Sequence, residues 1–279
     1  MVTRLLIADI PSHTLLGGVS TLSLTATDIA AYIGAAAWFP PIIYWIHSWL
    51  IKPTVQIVPE EKIELGFTTY GPIFNIRLAI SATKRDAIIE RLWVDLRHEA
   101  GEMRRLTWTG MRETFSEITD GAGNRQLVER DEPAIALKVT TFLLTEKFVR
   151  FQDLDFQKRL RPHASALLEH ANYLKEQELD LYEAILASRE FFAFLEFYKS
   201  NYWWKPGRYE VSFGVEGRDD VRIEANLFSF ELMQYDIDAF RSNLDLLKLD
   251  FENTVKMQIP GYQLKPVPWI WRNVPLVKG

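Results

Sequence analysis

The segment PIFNIRLAISAT, Pro72–Thr83, decides the fold class. Large apolar side chains occupy every second position, and polar or small residues fill the positions between them. The apolar positions are Phe74, Ile76, Leu78 and Ile80. A period of two is that of a β-strand with one buried face and one solvated face. The segment therefore predicts a half-buried strand of an antiparallel sheet.

Strand-like segments continue on both sides of this one. They are Thr54–Pro59, Ile63–Thr69, Ile88–His98, Met103–Met111, Pro133–Thr145, Arg208–Val215 and Val221–Gln234. Their hairpin-like spacing argues against a parallel α/β sheet. In Val221–Gln234 the inward positions shift by one residue, which predicts a β-bulge. The sequence KPGRY, Lys205–Tyr209, resembles the turn that enters a late strand of immunoglobulin-like sandwiches, with Tyr209 in a corner position. We expect an antiparallel, immunoglobulin-like β-sandwich within an α+β, mainly β fold.

Helical periodicity interrupts the strands. An inserted α-helical hairpin is predicted at about 153–202, and a C-terminal helix is predicted at about 236–257. The first inserted helix carries an apolar stripe formed by Leu160, Ala164, Leu167, Leu168, Ala171 and Leu174. The C-terminal helix carries a seam formed by Ile237, Phe240, Leu244, Leu247, Phe251 and Thr254. This seam is too short for a convincing coiled-coil dimer, so it is interpreted as core-packing.

The N-terminal part contains an apolar segment, IAAYIGAAAWFPPIIYWIHSWLI, Ile29–Ile51, without Lys, Arg, Asp or Glu. A helix of this length would measure about 34 Å, enough to cross a hydrocarbon core of about 30 Å. Its tryptophans and tyrosines are typical of interfacial anchors. Pro40-Pro41 predicts a kink, and it leaves two alternatives open: two half-length pieces with the second at the interface, or a buried helical hairpin of a soluble protein.

From this segment we expect a single-pass transmembrane helix at 29–52, preceded by an N-terminal tail at 1–28. The β-sandwich with its insertion and C-terminal helix then spans 53–259, followed by a Pro/Trp-rich tail at 260–279. Lys52 and Lys62 follow the segment, and the positive-inside bias places the C-terminal domain in the cytoplasm. Ala26, Ala30 and Gly34 recur every four residues and form the predicted helix-packing stripe, although such spacings also occur as ordinary filler.

Composition and motifs exclude several function classes. The net charge of −5 disfavours a nucleic-acid partner. Cysteine is absent, so no disulfide framework, thiolate zinc site or cysteine nucleophile exists. The sequence contains no phosphate-binding loop, dinucleotide-binding fingerprint, nucleophile elbow or zinc-protease helix motif. We therefore predict no catalytic residue, no metal site and no cofactor.

One aromatic and cationic cluster is singled out as a candidate site for a ligand or partner. Its members are Tyr202, Trp203, Trp204, Lys205 and Arg208, with Trp269, Trp271 and Arg272 as candidate neighbours. Flat rings beside cations bind glycans, lipid headgroups, bases or partner chains. The competing interpretation is structural, since buried aromatic side chains more often stabilise a core than mark a site.

Together these observations favour a membrane-anchored, non-catalytic interaction or scaffold protein that presents its sandwich at a membrane surface. The expected partners are the lipid bilayer, another protein, and a second copy bound through the membrane helix. Two alternatives remain: an enzyme without a recognisable motif, and a membrane-active effector that oligomerises through Ala26, Ala30 and Gly34.

Overall fold

The computed structural model describes Thr25 and residues 33–119, 125–176, 181–218, 220–257 and 261–279. The chain divides into two compact units, Met1–Leu50 and Ile51–Gly279. The first unit contains helix α1 (Phe39–Leu50). The helices of the second unit are α2 (Leu154–Glu176), α3 (Leu181–Leu186), α4 (Arg189–Ser200) and α5 (Gln234–Lys256). Its strands are β1 (Thr54–Pro59), β2 (Lys62–Thr68), β3 (Gly71–Thr83), β4 (Ala87–His98), β5 (Met103–Thr119), β6 (Arg125–Pro133), β7 (Leu137–Val139), β8 (Thr145–Gln152), β9 (Gly207–Gly217), β10 (Arg222–Ile223), β11 (Phe228–Leu232), β12 (Arg272–Pro275) and β13 (Val277–Lys278).

All of these strands belong to one sheet. Nine of them follow the order β10-β1-β3-β8-β5-β4-β9-β11-β13, while β12 pairs with β2, β2 with β3, β6 with β5 and β7 with β4. The sheet curls strongly, because the ring of Phe74 on β3 lies 6.4 Å from the ring of Phe230 on β11, although four strands lie between β3 and β11 in the order. Phe151 on β8 and Phe213 on β9 are 6.1 Å apart. The apolar faces of distant strands therefore meet across a half-barrel.

The predicted immunoglobulin-like sandwich is wrong, since a sandwich needs two separate sheets and the described strands form one curled sheet. Most of the predicted strands are present. The alternation of apolar residues along them shows only that one face of each strand is buried, and it does not show which strands pair. Long strands such as β3 and β5 pair with different neighbours along their length, so the backbone hydrogen bonding continues around the curved sheet. At the predicted corner position, the Tyr209 hydroxyl donates to the Lys205 carbonyl and accepts from the Lys205 N–H, both at 2.9 Å.

The predicted transmembrane helix is also wrong, and with it the single-pass membrane location. Within the described residues, no helix is both long enough and apolar enough to cross a membrane. Residues 33–36 are helical, a turn follows at 37–38, and α1 then starts anew with 12 residues. Pro40 and Pro41 lie in the first turn of α1, where a missing N–H costs little. At 1.5 Å per residue, α1 measures about 18 Å, well short of a hydrocarbon core.

The helical insertion is present, with one more break than predicted. The second predicted helix, at about 179–201, divides into α3 and α4, and the Ser188 hydroxyl caps α4 by accepting from the Phe191 N–H at 3.1 Å. At the start of α2, Asp153 accepts from the N–H groups of Asp155 and Phe156, each at 2.9 Å. These two caps fix where α2 and α4 begin; α2 packs on α4, and α4 packs on α5.

Candidate functional site

A groove of about 460 Å³ lies between α2, α4 and α5. Its walls come mainly from the two apolar stripes that the sequence places on α2 and α5, together with Phe194 and Tyr198 of α4. The apolar lining residues are Leu160, Ala164, Leu167, Leu168, Ala171, Leu247, Phe251 and Val255. Alanine at positions 164 and 171 leaves open the space that a leucine would fill on this face of α2. The groove is thus a consequence of small residues within an otherwise large-residue stripe.

Polar groups enter the groove at a few positions. The Tyr198 hydroxyl is engaged, because it donates to the Thr69 carbonyl at 2.8 Å. Burial raises the pKa of this tyrosine far above its usual range. Asn172, Lys175 and Thr254 line the exposed side of the groove. The hydroxyl on the floor of the groove is therefore already hydrogen-bonded, and the polar groups on its rim are exposed to solvent.

Asp250 differs from these residues. It is half-buried, it lines the groove, and its carboxylate has no hydrogen-bond or ion-pair partner among the residues that the structure describes. Removal of water from this carboxyl raises its pKa above the usual value of an aspartic acid. The same carboxylate contributes to the raised pKa of Tyr198. An acid in apolar surroundings without a partner carries a desolvation cost that a cationic or hydrogen-bond-donating ligand would relieve.

The groove combines apolar walls with one desolvated carboxylate, while its Tyr198 hydroxyl is bonded to the backbone carbonyl of Thr69. Among the described residues, no group of three His, Cys, Asp or Glu side chains could hold a metal ion. Apolar walls with one orienting polar group are typical of pockets that bind small molecules.

The aromatic and cationic cluster predicted from the sequence is brought together elsewhere, around Gly66 on β2. The Trp204 indole N–H donates to the Gly66 carbonyl at 3.0 Å, and the Trp271 ring lies against Gly66 so closely that a Cβ there would be 2.5 Å from it. Trp203 and Trp204 are buried, and Trp269 and Trp271 are partly buried. The tryptophan rings thus pack between the sheet and the C-terminal segment.

The cations of this cluster are all engaged with neighbours. Lys205 pairs with Glu102 at 2.6 Å, and that bond lowers the pKa of Glu102. Arg208 donates to the Ser229 hydroxyl at 3.3 Å. Arg272 lies 3.4 Å from the Asp236 carboxylate and over the Tyr235 ring. The Tyr202 hydroxyl donates to the Ile237 carbonyl at 3.3 Å. These contacts join the side chains of the cluster to neighbouring parts of the fold. A ligand-binding role for the cluster stays a prediction.

The predicted helix-packing stripe is described only in part. Gly34 lies in the short helical turn at 33–36, with open space around its α-carbon. Ala26 and Ala30 lie outside the described residues.

Sequence reasoning missed Asp250, although a signal was present. Asp250 lies three residues after Leu247 and four residues before Thr254, both members of the apolar seam of α5. An acid at a core spacing breaks the binary pattern of a helix, and such breaks concentrate at functional sites. Tyr198 and Thr69 carry no comparable signal, because their role depends on the packing of α4 against the end of β2.

Comparison with known proteins gives no matching family model, no matching curated protein and no matching solved structure. The groove is therefore interpreted from its own geometry and chemistry.

Proposed function

We propose that this protein is a non-catalytic binding protein whose groove between α2, α4 and α5 holds a cationic amphiphile. The apolar body of the ligand lies against the leucines, alanines and phenylalanines of the groove, and its ammonium group meets Asp250. The observation that carries the proposal is the half-buried carboxylate without a partner in an apolar groove of about 460 Å³. This volume is in the range of pockets that bind small molecules.

The charge of the ligand is inferred from which polar group of the groove would gain the stronger interaction when a charged ligand binds. Asp250 is desolvated, so a cation beside it recovers an interaction that water does not supply. Lys175 is exposed and solvated, and an anion beside it would only replace water. A cationic head is therefore favoured over an anionic one. This proposal keeps the expected non-catalytic role and drops the membrane span, while the expected bilayer, protein and second-copy partners stay predictions.

Three probes of one shape test the proposal by isothermal calorimetry at pH 7: 4-phenylbutylamine, the neutral 4-phenylbutanol and the anionic 5-phenylvalerate. We expect the amine to bind with a Kd below about 1 mM, and the alcohol and the acid to bind at least about tenfold more weakly. Equal affinity for the amine and the alcohol would contradict a role for Asp250. Preference for the acid would assign the head group to Lys175 instead.

Variants of the protein locate the binding site. Asp250→Asn keeps the shape of the side chain and removes its charge, so amine affinity should fall at least about tenfold. Ala171→Leu should abolish binding by filling the groove, without loss of thermal stability. The matched control is Asp245→Asn, on the exposed side of the same helix, which should bind like the wild type. Unchanged binding by Ala171→Leu would place the amine elsewhere.

A further inference from the structure

A second cavity, of about 590 Å³, lies where the curled sheet fails to close. We call it the edge cleft. One wall is the outer edge of β1, the opposite wall is β13 with the residue before it, and the connection between β10 and β11 closes one end. Its lining includes Ile57, Glu61, Glu224, Leu276 and Lys278.

Backbone groups of β1 point into the edge cleft. The carbonyls of Pro53 and Val55 accept from the N–H groups of Arg222 and Glu224, so odd-numbered residues here face away from β3. The N–H of Glu60 donates to the Arg77 carbonyl, which shows that even-numbered residues face β3. The N–H and C=O of Ile57 therefore face outward, and β10 ends before it could cover them.

The opposite wall is also an open strand edge. Gly279 donates to the Leu227 carbonyl and Val277 pairs with Ser229, so these two residues face β11. Leu276 and Lys278 face the other way, and the N–H of Leu276 donates to the Glu61 carbonyl at 2.8 Å. That bond joins the two walls at one end. Beyond it, the N–H and C=O of Lys278 face the edge cleft, and no described strand pairs with them.

The rim of the edge cleft is acidic. Glu60, Glu61 and Glu224 line it against the single cation of Lys278. Glu60 has a long contact of 3.9 Å with Arg77, while Glu61 and Glu224 have no ion-pair partner among the described residues. Val58 and Val277 expose apolar side chains, with 51% and 59% of their surface accessible. Open strand edges, exposed valines and an acidic rim are complementary to an extended chain that carries apolar and basic residues.

We propose that the edge cleft binds an extended basic peptide segment of a partner protein by strand addition. The segment pairs through its backbone with Ile57 of β1 and Lys278 of β13, and its basic side chains meet Glu61 and Glu224. At about 3.3 Å per residue, the uncovered part of β1 accommodates a strand of about three or four residues. This inference does not depend on the helical groove or on Asp250.

Amide hydrogen exchange with a synthetic probe tests the proposal. The probe is a capped hexapeptide, Val-Lys-Val-Arg-Val-Lys, added to the full chain. We expect its binding to slow exchange at the amide of Ile57 or Lys278, and we expect the same peptide with alternate amide nitrogens methylated not to bind. An acidic analogue, Val-Glu-Val-Asp-Val-Glu, should bind at least about tenfold more weakly.

Two pairs of variants separate backbone pairing from charge. Lys278→Pro removes the outward N–H and should weaken binding about fivefold or more relative to Lys278→Ala, which keeps it. Glu224→Gln should weaken binding of the basic probe, whereas Glu169→Gln on the exposed side of α2 should not. No binding of the probe, or binding that leaves both amides unchanged, would overturn the proposal. Exchange at these amides that instead slows with protein concentration alone would identify a second copy as the occupant and overturn the proposed partner.

Discussion

Replacement of Trp204 by alanine is expected to lower the free energy of unfolding by about 3–5 kcal/mol. The Trp204 side chain is 1% exposed and touches four aromatic rings, with centroids 4.9 Å from Trp203, 5.9 Å from Tyr209, 6.5 Å from Phe230 and 6.1 Å from Phe240. The substitution opens a large cavity between β9, β11 and α5, and it leaves the Gly66 carbonyl without its indole donor. Chemical denaturation followed by far-UV circular dichroism measures the loss.

The control for Trp204→Ala is Phe142→Ala, which also removes an aromatic ring. Phe142 is 84% exposed, so its loss should change the free energy of unfolding by less than about 0.5 kcal/mol. A loss of under about 1 kcal/mol for Trp204→Ala would contradict the structural role given to this tryptophan. It would also reopen the ligand-binding prediction for the aromatic cluster.

The second large effect is expected for Asn243→Leu, a substitution of similar size. The Asn243 side chain is fully buried, donates to the carbonyls of Phe67 at 3.0 Å and Ile270 at 2.9 Å, and accepts from the Ile270 N–H at 2.8 Å. It joins α5 to β2 and to the C-terminal segment. Leucine supplies none of these bonds and leaves buried backbone groups unpaired, so we expect a loss of about 3 kcal/mol.

Amide exchange distinguishes this effect from general destabilisation. If Asn243 holds the C-terminal segment, the amide of Ile270 in Asn243→Leu should exchange faster than amides in β3 or β4 do. Asn273→Leu, at an exposed position nearby, is the control and should leave both stability and exchange close to the wild type. Equal acceleration throughout the sheet would argue against a local tether.

Local structure was predictable from the sequence to a large extent, because alternation and helical stripes follow directly from burial. Strand pairing was not predictable, since a buried face does not say which strand lies beside it. Val221–Gln234 is an example: the parity shift predicted as a bulge is a break between β10 and β11, which pair with β1 and β9. Within the break, the Asn226 side chain pairs with the backbone of Phe213, with its oxygen 2.6 Å from the Phe213 nitrogen.

The apolar N-terminal segment shows a different limit. Its length predicts a span, and Pro40-Pro41 predicts either a kink inside one helix or a division into shorter helical pieces. Proline is also well suited to begin a helix, and in the structure it does so at α1. Both interpretations obey the same stereochemistry, so the sequence could not decide between them.

The sequence predicted the helices that line the candidate site, but not the groove between them. The stripes lie on α2 and α5 as the periodicity predicts, but the seam of α5 was interpreted as core-packing. The gap between them depends on the alanines of α2 and on how α4 packs beside them, and neither is encoded in periodicity. The sequence signal for the site was Asp250, an acidic residue within the apolar seam of α5.

The titration of Asp250 by carbonyl-detected NMR, with and without 4-phenylbutylamine, tests the binding proposal most directly. In the free protein, desolvation should hold the pKa of Asp250 above 3.8. A bound ammonium group favours the charged carboxylate, so the amine should lower this pKa, and affinity should fall as the pH drops through it. A pKa that stays unchanged or rises at saturating amine would show that the ligand does not meet Asp250, and it would contradict the proposed function.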